Sequence, residues 1–139
     1  MMPFHKRRPL QEAAYLSDLV FKVFANLHKR YRNVRNAREQ VVRLRMELDS
    51  LGDALHEMGQ NFLKYSDRTF SDKLWTECEA IGVLLKHLYV ATRDSWSDPS
   101  QPISWPFSMD EQEDILWKIK QFKEYAVRGS KPMYFPWNF

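Results

Sequence analysis

The amino-acid sequence predicts an all-α protein, an antiparallel bundle of four main helices, and three observations lead to this class. Residues 34–65 carry one uninterrupted apolar seam at an average period of 3.5 residues. Three further stretches repeat apolar residues at helical spacing. The chain of 139 residues has only 4 Gly and 7 Pro, with 44% hydrophobic residues, which is typical of a folded domain with a real core.

The first helix should begin near Pro9, a residue that suits the first helical turn, and run to about Arg32. Residues 1–9 before it form a short basic arm without a packing pattern. Its apolar stripe consists of Leu16, Leu19, Val20, Val23, Phe24, Leu27 and Tyr31. Asn33 and Asn36 are the two candidates for the joint that follows. We favour a tight turn near Asn33 over one uninterrupted helix, because a hairpin buries both stripes.

The second helix, residues 34–65, is the longest, and its seam alternates steps of three and four. The seam residues are Val34, Ala37, Val41, Leu44, Leu48, Leu51, Leu55, Met58, Phe62 and Tyr65. A helix of this length spans roughly 48 Å and needs other long helices to cover it. The heptad period alone is typical of a coiled coil, but three more amphipathic helices favour an intramolecular bundle. Gly52 and Gly59 share one flank, which predicts a closely packed neighbour or a local bend there.

The third helix should follow a connector at residues 66–70, with Thr69 or Ser71 as its N-cap. Its seam is formed by Leu74, Cys78, Ile81, Leu85 and Leu88. Other apolar residues on this helix predict burial on more than one side; they are Trp75, Val83, Tyr89 and Trp96. We expect the helix to end near Ser97.

The fourth helix has the clearest start in the chain, after a Pro- and Ser-rich loop at residues 97–106. Ser108 and Glu111 have the spacing of a capping box. Acidic residues fill the first turns and basic residues the last, which is the order that the helix dipole favours. Ile115, Ile119, Phe122 and Ala126 should face inward. Gly129 is the expected C-cap.

The domain organisation is therefore a basic arm at residues 1–9, a helical bundle domain at 10–129, and an aromatic tail at 130–139. Exposure of so many aromatic side chains to water would be unfavourable, so we expect the tail to pack on the bundle or on a partner. Its candidate partner-contact residues are Tyr134, Phe135, Trp137 and Phe139.

Residue chemistry argues against an enzyme. The four histidines, His5, His28, His56 and His87, are scattered and lack partners at metal-ligand spacing. No phosphate-binding Gly loop and no nucleophile motif is present. The single cysteine, Cys78, lies on the third seam, where a small core residue is more expected than a reactive thiol. We predict no catalytic residue, no metal site and no cofactor.

The expected compartment is the cytoplasm. A single cysteine excludes an intramolecular disulfide, which fits a reducing environment. The chain shows no apolar run of signal-peptide length, and no stretch approaches the ~18 uncharged residues that span a bilayer.

Positive charge is concentrated at the start of the chain, where residues 1–45 hold 11 Lys and Arg against 3 Asp and Glu. A basic cluster crosses the first joint and consists of Lys29, Arg30, Arg32, Arg35, Arg38, Arg43 and Arg45. Two interpretations stay open: a solvated rim with salt bridges to the acidic later helices, or a site for an anionic surface. Within the second, phospholipid is favoured over nucleic acid, because no nucleic-acid motif is present and no aromatics interleave with the arginines.

Two stretches, residues 18–58 and 103–129, resemble a known family: the N-terminal helical domains of fungal STAND and ankyrin-type proteins. This HeLo-like group is linked to heterokaryon incompatibility and regulated cell death. The matching positions are Leu48, Ser50, Leu51, Gly52 and Leu55 in the long helix, and Trp105, Pro106 and Phe107 before the last helix. The family's usual apolar N-terminal segment, implicated in membrane action, is replaced here by a basic one. Direct pore formation is therefore not expected.

The resemblance implies a non-enzymatic helical signalling domain that acts through protein–protein contacts, in fungal cell-death or self-recognition signalling. We expect a protein partner, and a second copy of the chain is one candidate. The alternative function is peripheral binding of a membrane surface through anionic lipid at the basic cluster. Nucleic acid is not an expected partner.

Overall fold

The computed structural model describes residues 9–31, 37–64, 72–93 and 104–129. These ranges contain four helices and no strand: α1 (Pro9–Arg30), α2 (Arg38–Lys64), α3 (Asp72–Arg93) and α4 (Met109–Gly129). The all-α bundle of four main helices is thus confirmed, and α2 is the longest of them at 27 residues.

The helix ends on either side of the first joint are Arg30 and Arg38, and residues 32–36 between them lie outside the described part of the chain. The first helix ends at Arg30, and Tyr31 forms a bend rather than another helical turn. The second helix begins at Arg38. Ala37 lies in a turn just before it, and the carbonyl oxygen of Ala37 accepts a hydrogen bond from Val41 N at 2.9 Å. Ala37 is thus the N-terminal capping position of the second helix, within the predicted residues 34–65.

Several sequence predictions fall outside the described residues. They concern the basic arm at residues 1–8, the joint candidates Asn33 and Asn36, the N-cap candidates Thr69 and Ser71, the end of the third helix near Ser97, and the aromatic tail at 130–139.

Around the bundle the helices lie in the order α1, α2, α4, α3. Close backbone approaches join α1 to α2, α1 to α3, α2 to α4 and α3 to α4. Among the described helices, α1 and α4 form one diagonal and α2 and α3 the other, with no such approach across either. Helices that follow one another in the chain, α2 and α3, therefore occupy opposite corners.

Residue pairs between neighbouring helices fix their directions. On α1 and α3, Asn26 meets Thr92 and Leu16 meets Gly82, and both pairs lie 66 positions apart, so these helices are parallel. The helices α1 and α2 are antiparallel. Gly52 of α2 faces Val20 of α1, and the later Gly59 faces the earlier Ala13 and Leu10. Between α2 and α4, Gln40 meets Met109 while Ser50 meets Lys123, so this pair is again parallel.

The core contains the predicted seams wherever they fall on described residues. Every seam residue of α2 from Ala37 to Phe62 is buried, as are the five of α3 and the four of α4. The stripe of α1 is buried as well, except for the partly buried Phe24. Val83 is different: it lies on the outer side of α3 and is 70% exposed, so the predicted burial of α3 on more than one side was wrong at this position.

The predicted close neighbour of the α2 glycines is α1. A Cβ on Gly52 would stand 3.9 Å from Val20 Cγ1, and one on Gly59 would stand 3.5 Å from Ala13 Cβ. These separations are ordinary van der Waals contacts, so α1 passes close to both glycines and still leaves room for a Cβ at each.

The start of α4 confirms the predicted capping box. Ser108 N donates to Glu111 Oε1 at 2.9 Å, and Glu111 N donates to Ser108 Oγ at 3.1 Å. At the other end, Gly129 is still helical and has no positive φ, so it does not form the expected left-handed C-cap. The ring of Tyr125 lies beside it instead, 3.3 Å from the position of a Cβ.

Candidate functional site

The predicted basic cluster divides among different parts of the bundle surface. Lys29 is exposed and Arg30 is half-buried at the end of α1, and Arg38 is exposed at the start of α2. These three residues belong to the same end of the bundle, because α1 ends where α2 begins. Arg32 and Arg35 of the cluster lie outside the described residues.

Arg43 points from α2 toward α4, where it forms an ion pair with Glu113. Its two terminal nitrogens donate to the two carboxylate oxygens at 2.9 and 3.3 Å. The hydrogen bond and the positive charge lower the pKa of Glu113 and raise the pKa of Arg43. This contact is a salt bridge to an acidic later helix, as one of the two interpretations of the cluster expects.

Arg45 lies on the opposite flank of α2, toward α1. Its guanidinium carbon is 5.5 Å from the centre of the Phe24 ring, a cation–π distance. Among the described residues its Nε is buried and has no hydrogen-bond acceptor. The two arginines are two positions apart in a helix and so point to nearly opposite sides, which divides the basic cluster.

An apolar surface accompanies Arg45, and we call it the α1–α2 face. A groove of about 310 Å³ there is lined by Phe24, Val42, Arg45, Met46 and Asp49. Phe21 belongs to the same face, since it precedes Phe24 by one helical turn. Phe21 is 69% exposed, Met46 68% and Val42 42%. Side chains of this size at such exposure favour a contact surface.

The sequence patterns did not single out Phe21, Val42 or Met46. Helical spacing predicts burial for the apolar stripe of each helix, and these three residues lie between stripes. The sequence does contain one sign of this surface. Val42 and Met46 are one turn apart on the side of α2 away from its seam.

A second groove lies between α3 and α4. It measures about 280 Å³ and is lined in part by Ala80, Leu84, Trp117 and Gln121. Trp117 is 60% exposed on the outer side of α4. Unlike the α1–α2 face, this groove is remote from the basic cluster, which lies on α1 and α2.

The candidate reactive groups are placed as structural or surface residues. Cys78 is fully buried on α3, and burial raises the pKa of its thiol to about 12, with a smaller contribution from the charge of Glu12. Such a thiol stays protonated at neutral pH and is a poor nucleophile. His28, His56 and His87 are exposed, and His5 lies outside the described residues. Within the four described ranges, no group of three or more His, Cys, Asp or Glu side chains is arranged to hold a metal ion.

Among the ion pairs between described residues, the most buried joins α2 to α4. Lys123 Nζ lies 3.1 Å from Glu47 Oε1 and donates to Ser50 Oγ at 2.8 Å. Both charged side chains are largely shielded from water, so this contact stabilises the packing of two parallel helices rather than forming an accessible site. A search of the described helices for one long and apolar enough to cross a bilayer found none.

Comparisons with known proteins leave the family open. No family model matches the chain, and no match was found among curated proteins or among solved structures.

Proposed function

We propose that this chain is a non-enzymatic helical interaction domain that acts through protein–protein contact at the α1–α2 face. The observation that carries the proposal is the exposure of Phe21 and Met46 beside a groove, on helices whose inward seams are already filled. Folding of the bundle does not require these side chains to be apolar, because they are outside the core. Contact with a partner would remove them from water.

The resemblance to the HeLo-like helical domains supports a narrower proposal. In that proposal the contacts belong to fungal cell-death or self-recognition signalling, in the cytoplasm. The aromatic tail residues Tyr134, Phe135, Trp137 and Phe139 then supply a second contact segment.

A capture experiment with matched variants tests the main proposal. Wild-type protein, Met46→Glu and Val83→Glu are immobilised at equal density, and proteins bound from an extract of expressing cells are quantified by mass spectrometry. Met46 and Val83 are almost equally exposed, at 68% and 70%, but lie on different faces. We expect Met46→Glu to lose the specific binders and Val83→Glu to retain them. An identical set of binders on all three would refute a role for the α1–α2 face.

Binding of anionic lipid is the second candidate function. Lys29 and Arg38 favour it, because both are exposed at the end of the bundle where α1 gives way to α2. Sedimentation with vesicles of phosphatidylcholine alone, or with added phosphatidylserine, decides the question. If the fraction of protein that sediments with the vesicles rises with phosphatidylserine and falls with salt, lipid binding is supported. Equal recovery with both vesicles excludes it.

A further inference from the structure

We propose that the α1–α2 face binds the same face of a second copy of this chain, with the two α2 helices antiparallel about a two-fold axis near residue 47. The inference rests on the proposed function of this face as a protein-contact surface, and it names the partner. Three features carry it: the order of charges along α2, their spacing about residue 47, and the apolar side chains between them.

On the side of α2 toward α1, basic residues precede position 47 and acidic residues follow it. Arg38 and Arg45 come first, and Asp49 and Asp53 follow. Two such rows that run antiparallel bring the basic residues of one copy beside the acidic residues of the other.

On the flank of α2 toward α4, the bundle itself supplies a counter-charge, because Glu113 binds Arg43. On the flank toward α1 the situation differs. Neither Arg45 nor Asp49 forms an ion pair with another residue in the described part of the chain. Arg45 lies over Phe24 at the edge of the groove, and Asp49 lines the same groove one turn later.

A two-fold axis gives both charged side chains, Arg45 and Asp49, an oppositely charged partner. When two identical helices pair antiparallel, positions equally far before and after the axis face each other, and every contact occurs twice. Arg45 and Asp49 are each two residues from position 47, and both lie on the flank toward α1. Arg45 of each copy therefore faces the partner's Asp49. Arg38, earlier in each α2, also lies toward the second half of the other α2, which contains Asp53.

The apolar residues of the face occupy the centre of this arrangement. Met46 is next to the axis, so the Met46 side chains of the two copies meet there. Val42 and the Phe24 ring lie beside them in the groove, and Phe21 extends the apolar surface along α1. An apolar centre with charged residues at its edge is the usual anatomy of a protein interface, and methionine adapts readily to a facing surface.

The outer surface of the paired helices around this face offers enough area for a stable dimer. From residue 38 to residue 57 that surface of α2 is roughly 30 Å long, and α1 lies alongside at an interaxial distance of about 8–10 Å. Two helices of this length cover roughly 600–750 Å² on each copy, from the helix diameter of about 10–12 Å. The total then falls within the range of about 1,200–2,000 Å² for specific interfaces.

Molar mass in solution, measured on charge-reversed variants, tests the proposal. We expect wild-type protein at about 100 μM to have twice the chain mass of 16.7 kDa. Asp49→Arg and Arg45→Glu should each raise the dimer dissociation constant at least about tenfold, because two like-charge contacts replace two ion pairs. An equimolar mixture of the two variants should dimerise again, because in the mixed pair each reversed charge faces its complement.

Controls make every outcome decisive. Val83→Glu on α3 should remain dimeric, and circular dichroism should show native helix content for each variant. Asp49 is exposed, so Asp49→Arg alone decides the result if Arg45→Glu disturbs the packing on Phe24. A monomeric wild type, dimeric reversed variants, or a mixture that fails to associate would overturn the proposal. A monomer that still captures another protein through Met46 would overturn this inference and leave the proposed function standing.

Discussion

Arg43 of α2 binds Glu113 of α4 through two hydrogen bonds, at 2.9 and 3.3 Å, across a pair of parallel helices. The contact joins the first half of α2 to the acidic start of α4. One of the arginines that the sequence offers to an external anion is therefore paired with a carboxylate of the same chain, at the surface. Arg45, only two residues later, points to the α1–α2 face instead.

The Arg43–Glu113 pair should make stability depend on pH. The pKa of Glu113 is lowered from its ordinary 4.5 in the folded protein. Its stabilising effect is therefore fully present above the unfolded carboxyl pKa and is lost as the pH falls through the lowered folded value. We expect wild type to have a higher denaturation midpoint than Glu113→Gln at neutral pH, and the two midpoints to converge in acid. A difference that persists unchanged at low pH would contradict the ion pair.

The buried hydroxyl of Thr92 should contribute to stability through its hydrogen bonds. Its Oγ1 accepts from Asn26 Nδ2 at 3.1 Å and donates to the Leu88 carbonyl oxygen at 2.7 Å. We expect Thr92→Val to lower the free energy of unfolding by about 1–2 kcal/mol, because Asn26 loses its partner. Urea denaturation measures the change.

Thr76 is the matched control for this prediction, because its hydroxyl makes the corresponding bond to the Asp72 carbonyl oxygen at 3.0 Å but is exposed. Thr76→Val should change stability by less than about 0.5 kcal/mol. Equal effects of the two substitutions would show that contact with α1 contributes nothing.

The glycines of α2 should respond differently to small and large side chains. Gly52→Ala should raise the free energy of unfolding by about 0.5–1 kcal/mol, because alanine favours the helix and its Cβ would stand 3.9 Å from Val20. Gly59→Leu should lower the free energy of unfolding by about 1–3 kcal/mol, because the longer side chain enters the space of Ala13. Thermal and urea unfolding of both variants test this. Stabilisation by Leu at residue 59 would mean that α1 does not pack there.

The single cysteine should be unreactive while the protein is folded. Cys78 is fully buried, and its raised pKa, about 12, leaves very little thiolate at mild pH. We expect a thiol-labelling reagent to modify it only at the rate of unfolding, and rapidly once urea is added. Labelling of folded protein as fast as a free cysteine would show that this part of α3 is open.

The sequence predicted the core because burial in a helix follows its period. The steps of three and four that join Leu44, Leu48 and Leu51 define one side of α2, and that side is buried. The capping box at Ser108 was equally predictable, since both partners lie within four residues. Local spacing carries this kind of information directly.

The order of helices around the bundle could not be read from the same patterns. A seam shows which side of a helix is covered but not which helix covers it. The parallel pairing of α1 with α3 depends on contacts such as Asn26 with Thr92, which are 66 residues apart. No local motif encodes such a contact.

The candidate contact surface was only partly predictable. The sequence drew attention to the basic cluster, and the structure separates Arg43 from Arg45 because they lie on opposite flanks of one helix. Phe21 and Met46 escaped attention because an apolar residue outside a seam is unremarkable in a single helix. Their significance comes from the side-by-side packing of α1 and α2, which brings both to one face.

Disulfide crosslinking at Met46 is the most direct test of self-pairing through the α1–α2 face. Met46→Cys places a thiol beside the proposed two-fold axis, and Val83→Cys places one of similar exposure on α3. The native Cys78 is buried and should not interfere. Under mild oxidation at low protein concentration, we expect Met46→Cys to form a covalent dimer quickly and Val83→Cys to remain largely monomeric. Equal crosslinking of the two variants, or none at Met46, would contradict the proposed pairing.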